Sequence, residues 1–217
     1  RAAKGQFIVR VDGHSIIAED FVARAIDHLA RRKHDRVYNV GGPLKVTGLS
    51  PMGEAIAAAY SSRFGVPSAF KTANSEQFVD TLFPGAWPRE VFDLVGPWDE
   101  RFRVNQDYEH NYRIRAAGGK ILLTTDLHSE YYCRGSVAGL WRQFFNYGRW
   151  KQKVLVEHPG SLKARHLVAP AFMAALVSGP CLALANQGAG LAWLMMVATY
   201  AAFAGVESAR LSGGDRA

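Results

Sequence analysis

Two stretches near the C-terminal end constrain this chain most. Leu167 to Ala185 ("LVAPAFMAALVSGPCLALA") and Ala189 to Val206 ("AGLAWLMMVATYAAFAGV") carry no charged residue, and only Asn186-Gln187-Gly188 separates them. Each run approaches the about 20 apolar residues that a helix needs to cross the hydrocarbon core of a bilayer. Pro170 and Pro180 are tolerated in such helices. A buried helical hairpin in a soluble core is the other reading, but two adjacent uncharged runs of this length favour the membrane. Arg142, Arg149, Lys151, Lys153, Lys163 and Arg165 precede the first run, against only Glu157. By the positive-inside rule the part before the runs faces the cytoplasm. These residues supply much of the net charge of +7, which points to anionic membrane lipid and not to nucleic acid. No nucleic-acid-binding signature is present.

The remaining chain reads as an α/β domain. The 217 residues, 48% hydrophobic and 21% charged, suit one sizeable folded domain plus an appendage. Cys133 and Cys181 stand in different settings without disulfide or zinc spacing, in keeping with a reducing compartment. The opening "RAAKG" reads as a helix end capped by Gly5, so the expectation is a fragment whose first βα units are missing. Phe7 to Val11 is short, apolar and β-branched, and its near-continuous hydrophobicity, broken only by Arg10, predicts a buried strand of a parallel sheet. A helix follows over Ala18 to Arg32, with Phe21, Ala25 and Leu29 as its apolar stripe. Val37 to Val40 is a strand stopped by Gly41-Gly42-Pro43, Pro51 to Ser62 an Ala-rich helix, and Phe64 to Ser75 an irregular loop. A strand over Phe78 to Phe83 ends at Pro84-Gly85-Ala86. Helices over Arg89 to Val95 and Asn105 to Ala117, a strand over Lys120 to Thr125, and an aromatic, basic helix over Leu140 to Val156 complete the pattern.

Chemistry concentrates in two places. "FIVRVDGHS" (Phe7 to Ser15) ends a strand in Asp12 and His14, and ligands of open α/β sheets bind beyond the carboxyl ends of strands. A carboxylate and an imidazole there could hold a divalent cation; the same residues could form only an Asp-Gly turn with a solvated histidine. "GPWDERFRVNQDYEHNYRIR" (Gly96 to Arg115) sets Asp107 at the start of a helix, where it could be a proton acceptor or simply an N-cap. Glu109, two residues on, points elsewhere.

In this order and spacing the motifs resemble glycosyltransferase family 2, of the GT-A fold, and within it the succinoglycan-biosynthesis type of membrane-anchored bacterial enzymes. The resemblance runs from Arg1 to about Pro170. "VRVDGH" resembles the strand-end Asp-x-Asp motif with His14 in the second place. "NVGGP" (Asn39 to Pro43), "FPGAWPREVF" (Phe83 to Phe92) and "VGPWDERFRVNQDYEHNYRIRAAGGKI" (Val95 to Ile121) resemble later blocks, with Gln106-Asp107 where many members have Glu-Asp. "NYGRW" (Asn146 to Trp150) resembles the Gln-x-x-Arg-Trp motif of processive members, with Asn in place of Gln.

The resemblance implies a Rossmann-related mixed sheet flanked by helices, with a C-terminal transmembrane hairpin. Residues 1–140 would be the C-terminal part of the GT-A domain, 141–166 a basic aromatic interfacial segment, 167–206 the two membrane helices and 207–217 a polar tail. It implies an inverting transfer of a sugar from a nucleotide-sugar donor to a hydroxyl of a lipid-linked saccharide acceptor, in exopolysaccharide or cell-surface glycan synthesis at the bacterial inner membrane. Mg²⁺ or Mn²⁺ held through Asp12 and His14 would stabilise the leaving diphosphate. Asp107 would be the catalytic base. Gly41, Gly42, Gly85 and Ala86 would let backbone approach donor and acceptor, Glu109 would belong to the same binding region, and Arg149 and Trp150 would meet phosphate and sugar. A non-catalytic membrane scaffold of a polysaccharide assembly complex could keep the same fold, but Asp12 and Asp107 argue against it.

Overall fold

A computed structural model describes residues 3–62 and 74–214. Most of the loop expected over 64–75 lies outside the described residues, as do residues 1 and 2 of the expected helix end; Ala3, Lys4 and Gly5 are not helical. Among the described residues the elements are β1 (Phe7–Arg10), β2 (Ser15–Ile17), α1 (Phe21–Arg31), β3 (Val37–Gly41), β4 (Leu44–Thr47), α2 (Pro51–Ser61), β5 (Gln77–Phe78), β6 (Gly85–Pro88), α3 (Glu90–Val95), α4 (Gln106–Ala116), β7 (Lys120–Leu123), β8 (Ser129–Tyr132), α5 (Val137–Glu157), α6 (Arg165–Ala185) and α7 (Gln187–Gly214). They form two mixed sheets, one ordered β1-β6-β3-β7-β5 and one ordered β2-β8-β4. The expected mixed α/β fold with a hairpin of apolar C-terminal helices is therefore present.

The larger sheet is covered on both faces. Phe21, Ala25 and Leu29 of α1 pack on Val37 and Val40 of β3 with Ala86, Leu122 and Leu127. These are the residues of the i, i+4, i+8 stripe, all at most 3% exposed. The opposite face holds Leu82, Trp87, Val91, Ile114, Ile121 and Leu123. Strand β7 shows why its apolar run is continuous: Leu122 serves one cluster while Ile121 and Leu123 serve the other. Asn39 on β3 donates to Asn111 on α4 at 2.8 Å, and Asn111 donates to Thr81 at 2.9 Å. Gly118, at φ +78°, closes α4 in the left-handed region that glycine tolerates.

Two expectations change, and one sheet is new. β1 is an antiparallel edge strand pairing with β6, half-buried, and not a strand within a parallel array. Its apolar run is short because the turn at Asp12 to Ser15 ends it, Ser15 N–H donating to the Asp12 carbonyl at 3.0 Å. The strand expected over Phe78 to Phe83 shrinks to Gln77–Phe78, and the strand proper is Gly85–Pro88, which the glycine and prolines disguised as a stop. The whole smaller sheet was illegible, because its strands have three or four residues and lie beside turns.

Helices α6 and α7 pack on each other, and both are long and apolar enough to cross a membrane. Only 6% of the apolar window of each is buried, which is unlike the core helix of a soluble protein. Helix α7 continues through Glu207 to Gly214, over most of the stretch expected as a polar tail.

Candidate active site

The alternation of β1 places Phe7 and Val9 against the α1 cluster and turns Arg10 to the opposite face. There its guanidinium lies near the rings of Phe83 and Trp98, at 5.7 and 5.8 Å. Trp98 in turn packs on His110 of α4 at 5.2 Å. His110 is fully buried among Trp87, Phe92 and Trp98, and burial pulls its imidazole down to about 4, so it is neutral. This aromatic stack seats the first turn of α4 against the end of β1.

Arg10 joins the two acids singled out in the sequence. It donates to Asp12 Oδ1 at 3.2 and 3.1 Å, and its other terminal nitrogen donates to Asp107 Oδ1. Asp107 is not the N-cap of α4. That position is Asn105, at φ 64° and without a side-chain cap bond, and its Nδ2 donates to the Tyr147 carbonyl of α5 at 3.1 Å. Burial, reinforced by the negative charge of Asp12 and opposed by Arg10, lifts the Asp107 carboxyl from 3.8 to about 6. Such a group is ionised near neutrality and still basic enough to take a proton.

A polar aromatic wall completes the site. His14 is exposed and meets the ring of Tyr131 edge-on at 5.0 Å. Gln143 on α5 donates to the hydroxyls of Tyr131 and Tyr147, both at 2.9 Å. Burial raises the Tyr147 phenol, with Tyr131 adding to the shift, and the backbone carbonyl of Tyr147 is held by Asn105, two residues before Asp107.

The other expected site residues bring no side chain to this cluster, although Gly85 and Ala86 pair with Arg10 and Val9 across the β1–β6 ladder. Gly41, Gly42, Gly85 and Ala86 are buried, and what approaches the three glycines is protein. A Cβ at Gly41 would overlap the Pro84 carbonyl, one at Gly42 the Leu127 carbonyl, and one at Gly85 Asn39 and Trp87. At these three positions the space that a side chain would take is filled by protein. Glu109 is 2% exposed and accepts from Arg113 at 2.6 and 2.8 Å and pairs with His158 at 3.0 Å, so its carboxylate is spent on tying α4 to α5. Arg149 is exposed, and Trp150 packs near Phe102 at 6.3 Å with Lys153 over its ring at 5.3 Å. Arg149, two residues past Tyr147 on α5, points about 200° away from it, whereas Trp150, three residues past, lies on the Tyr147 side of the helix and packs toward Phe102.

Arg10, Tyr131, Gln143 and Tyr147 were missed. A charge interrupting an apolar strand was the available signal for Arg10. The others carried none, since the strand holding Tyr131 was unrecognised.

The donor set fits a cation only in part. Among the described residues no three His, Cys, Asp or Glu side chains gather as a metal cage. Both bonds from Arg10 fall on Asp12 Oδ1, which leaves Oδ2 as the oxygen that would meet a hard cation.

With this geometry in hand, the sequence relatives are informative. No protein-family model matches the chain. The chain is 28% identical over 185 residues to the succinoglycan biosynthesis protein ExoA of Rhizobium meliloti, covering 85% of this chain and 55% of the relative. It is 26% identical over 152 residues to a dolichyl N-acetyl-alpha-D-glucosaminyl phosphate 3-beta-D-2,3-diacetamido-2,3-dideoxy-beta-D-glucuronosyltransferase of Methanococcus voltae, covering 69% of this chain and 47% of the relative. A crystal structure of GalNAc-T7 with UDP, GalNAc and Mn²⁺ superposes with a TM-score of 0.43 at 18% identity, over 72% of this chain and 35% of that one. The chain spans about half the length of the curated relatives it matches. Over that part, the sequence is similar to a succinoglycan biosynthesis protein and to a sugar transferase.

Proposed function

We propose that this chain carries the acceptor side and the metal-diphosphate side of a membrane-anchored, GT-A glycosyltransferase. The enzyme transfers a sugar, with inversion, from a nucleotide-sugar donor to a hydroxyl of a lipid-linked saccharide in bacterial exopolysaccharide or cell-surface glycan synthesis. The observation that carries this reading is the convergence of Asp12 and Asp107 on the single guanidinium of Arg10. Two acids from distant parts of the chain, one at a strand end and one at a helix start, meet where an α/β sheet binds ligand.

Asp107 accepts the proton of the acceptor hydroxyl as that oxygen attacks the anomeric carbon from the face opposite the leaving diphosphate. Its raised basicity suits this task near neutral pH. Arg10, held by Phe83 and Trp98, keeps the two carboxylates together against their mutual repulsion. The hydroxyls of Tyr131 and Tyr147, oriented by Gln143, offer hydrogen bonds to a sugar beside the base. Asp12 through Oδ2, with His14 as a second ligand from the same turn, would hold Mg²⁺ or Mn²⁺ together with the donor. When bound, such a cation neutralises the charge that grows on the departing diphosphate.

The two apolar helices anchor this part in the bacterial inner membrane with the site on the cytoplasmic side, in keeping with the basic residues that precede them. Helix α5 presents Trp141, Phe144 and Phe145 to the exterior, which suits residues 141–166 lying at the lipid headgroups.

Asp12→Ala tests the metal-diphosphate half. Titration calorimetry with a nucleoside diphosphate, with and without Mn²⁺, should show metal-dependent affinity in the parent and none in the variant. Unchanged metal-dependent affinity rejects the assignment of Asp12.

A further inference from the structure

A second charged cluster lies between the site and the membrane helices. Asp80 accepts both bonds of Lys163 at 2.6 Å and one from Arg165 at 2.6 Å, and Arg115 stands 3.7 Å from its other oxygen. Lys151 joins them, its ammonium 3.0 Å from the ring centroid of Tyr108. Tyr108 is fixed by donating its hydroxyl to the Ser161 carbonyl at 2.9 Å and by an edge contact with His166 at 5.9 Å. Three cations thus meet one carboxylate, with Lys151 over the neighbouring Tyr108 ring. Burial, then Arg165 and Arg115, lower the Lys151 ammonium to about 8, and Asp80 is the one acid that opposes this. The cluster is accessible: Lys163 and Arg165 are 39% and 52% exposed.

We propose that Lys151, Lys163, Arg165 and Arg115 form the binding site for the phosphate or diphosphate of the membrane-lipid carrier that bears the acceptor saccharide. This rests on the glycosyltransferase reading and specifies how its acceptor is held. A like-charge excess held in place by a single acid is stabilised by an anion, and guanidinium with ammonium groups is the donor set that phosphate oxygens take. The cluster sits where α6 begins its apolar run at Arg165, which is the depth of a lipid phosphate and not of free cytosolic anions. It also adjoins the base along two helices. Tyr108 follows Asp107 on α4, and Lys151 follows Tyr147 by one turn of α5. A carrier phosphate on the cluster would therefore present its first sugars along the Tyr147 wall toward Asp107.

The test uses this chain, with both apolar helices, in phosphatidylcholine nanodiscs, and native mass spectrometry to count retained lipid. Three probes are compared: a polyprenyl diphosphate in the bilayer, phosphatidylglycerol in the bilayer, and inorganic pyrophosphate in solution. The parent should retain the polyprenyl diphosphate in preference to the other two. The double variant Lys151→Gln/Arg165→Gln should lose at least about tenfold in that retention. It leaves Asp80 paired with Lys163 and Arg115, and a thermal melt checks that it is folded. Arg165→Lys, which keeps the charge, should retain the lipid, so a misfolded double variant does not shelter the idea. Equal retention by the double variant overturns the proposal. So does equal retention of phosphatidylglycerol, which would mean a general anionic-lipid contact, and so does pyrophosphate binding as tightly as the lipid. Asp107→Asn should retain the lipid at the parent level. If that variant also transfers sugar normally, the catalytic reading fails while the phosphate site stands; if only the lipid arm fails, the reverse holds.

Discussion

Asp107→Asn should inactivate the protein and stabilise it. The substitution keeps shape and an acceptor for Arg10 but removes the proton acceptor. If Asp107 is the base, transfer falls by roughly 10²-fold or more while donor affinity stays near the parent value. The stability term comes from the same burial. A carboxyl moved from 3.8 to about 6 disfavours the ionised folded state by about 3 kcal/mol. Because the folded value lies above the unfolded one, the stability this group contributes is complete below 3.8 and is lost as pH rises through about 6. Asparagine does not titrate, and Arg10 keeps its bonds to Asp12 at 3.1 and 3.2 Å. The variant should therefore melt higher than the parent at pH 7, with the gap closing as pH falls through that window, where parent transfer also declines. Single-turnover rates normalised to folded protein, with melts across pH 4 to 7, measure both. Parent-level transfer by the variant, or a lower melt at pH 7, refutes the argument.

Glu109→Gln should do the opposite. Removing a carboxylate that is 2% exposed and paired with Arg113 and His158 should cost about 3–5 kcal/mol in chemical denaturation, with turnover per folded molecule preserved. Gly42→Ala drives a methyl into the Leu127 carbonyl and should lower the melting temperature without changing the affinity of whatever folds for a nucleoside diphosphate; a selective loss of affinity in a normally stable variant would restore Gly42 to the site. Reporter fusions after Lys163 and at Gln187 should give opposite signals, the former cytoplasmic, and matching signals would mean that the hairpin does not span.

Periodicity and charge made some features legible without coordinates. Phe21, Ala25 and Leu29 recur at helical spacing, and that spacing alone identifies the buried face of α1. The two uncharged runs declare α6 and α7 as helices long and apolar enough to cross a bilayer, whose core disfavours charge along a helix. Asp12 and Asp107 stood out because a carboxylate closing an apolar strand can hold a cation and one opening a helix can take a proton, although an Asp-Gly turn and an N-cap put the same residue in the same places. The smaller sheet was not legible, since strands of three or four residues carry too few alternations to be told from a turn.

Which residues share a site was decided by tertiary structure. Glu109 and Asp107 are two residues apart in one helix, yet one is spent inside the fold on Arg113 and His158 while the other faces Arg10. Gly41, Gly42 and Gly85 look like ligand-approach glycines in a string of letters, but only the packed neighbours reveal that the approaching backbone and side chains are the protein's own. Arg10 reads as a flaw in an apolar strand until β1 pairs with β6 and its alternation turns the guanidinium toward α4. Side-chain spacing along a single element is a local property of the chain. The meeting of β1, α4, β8 and α5 around Asp107 depends on how the sheets and helices pack, and long-range contact leaves no periodicity in the sequence to be read.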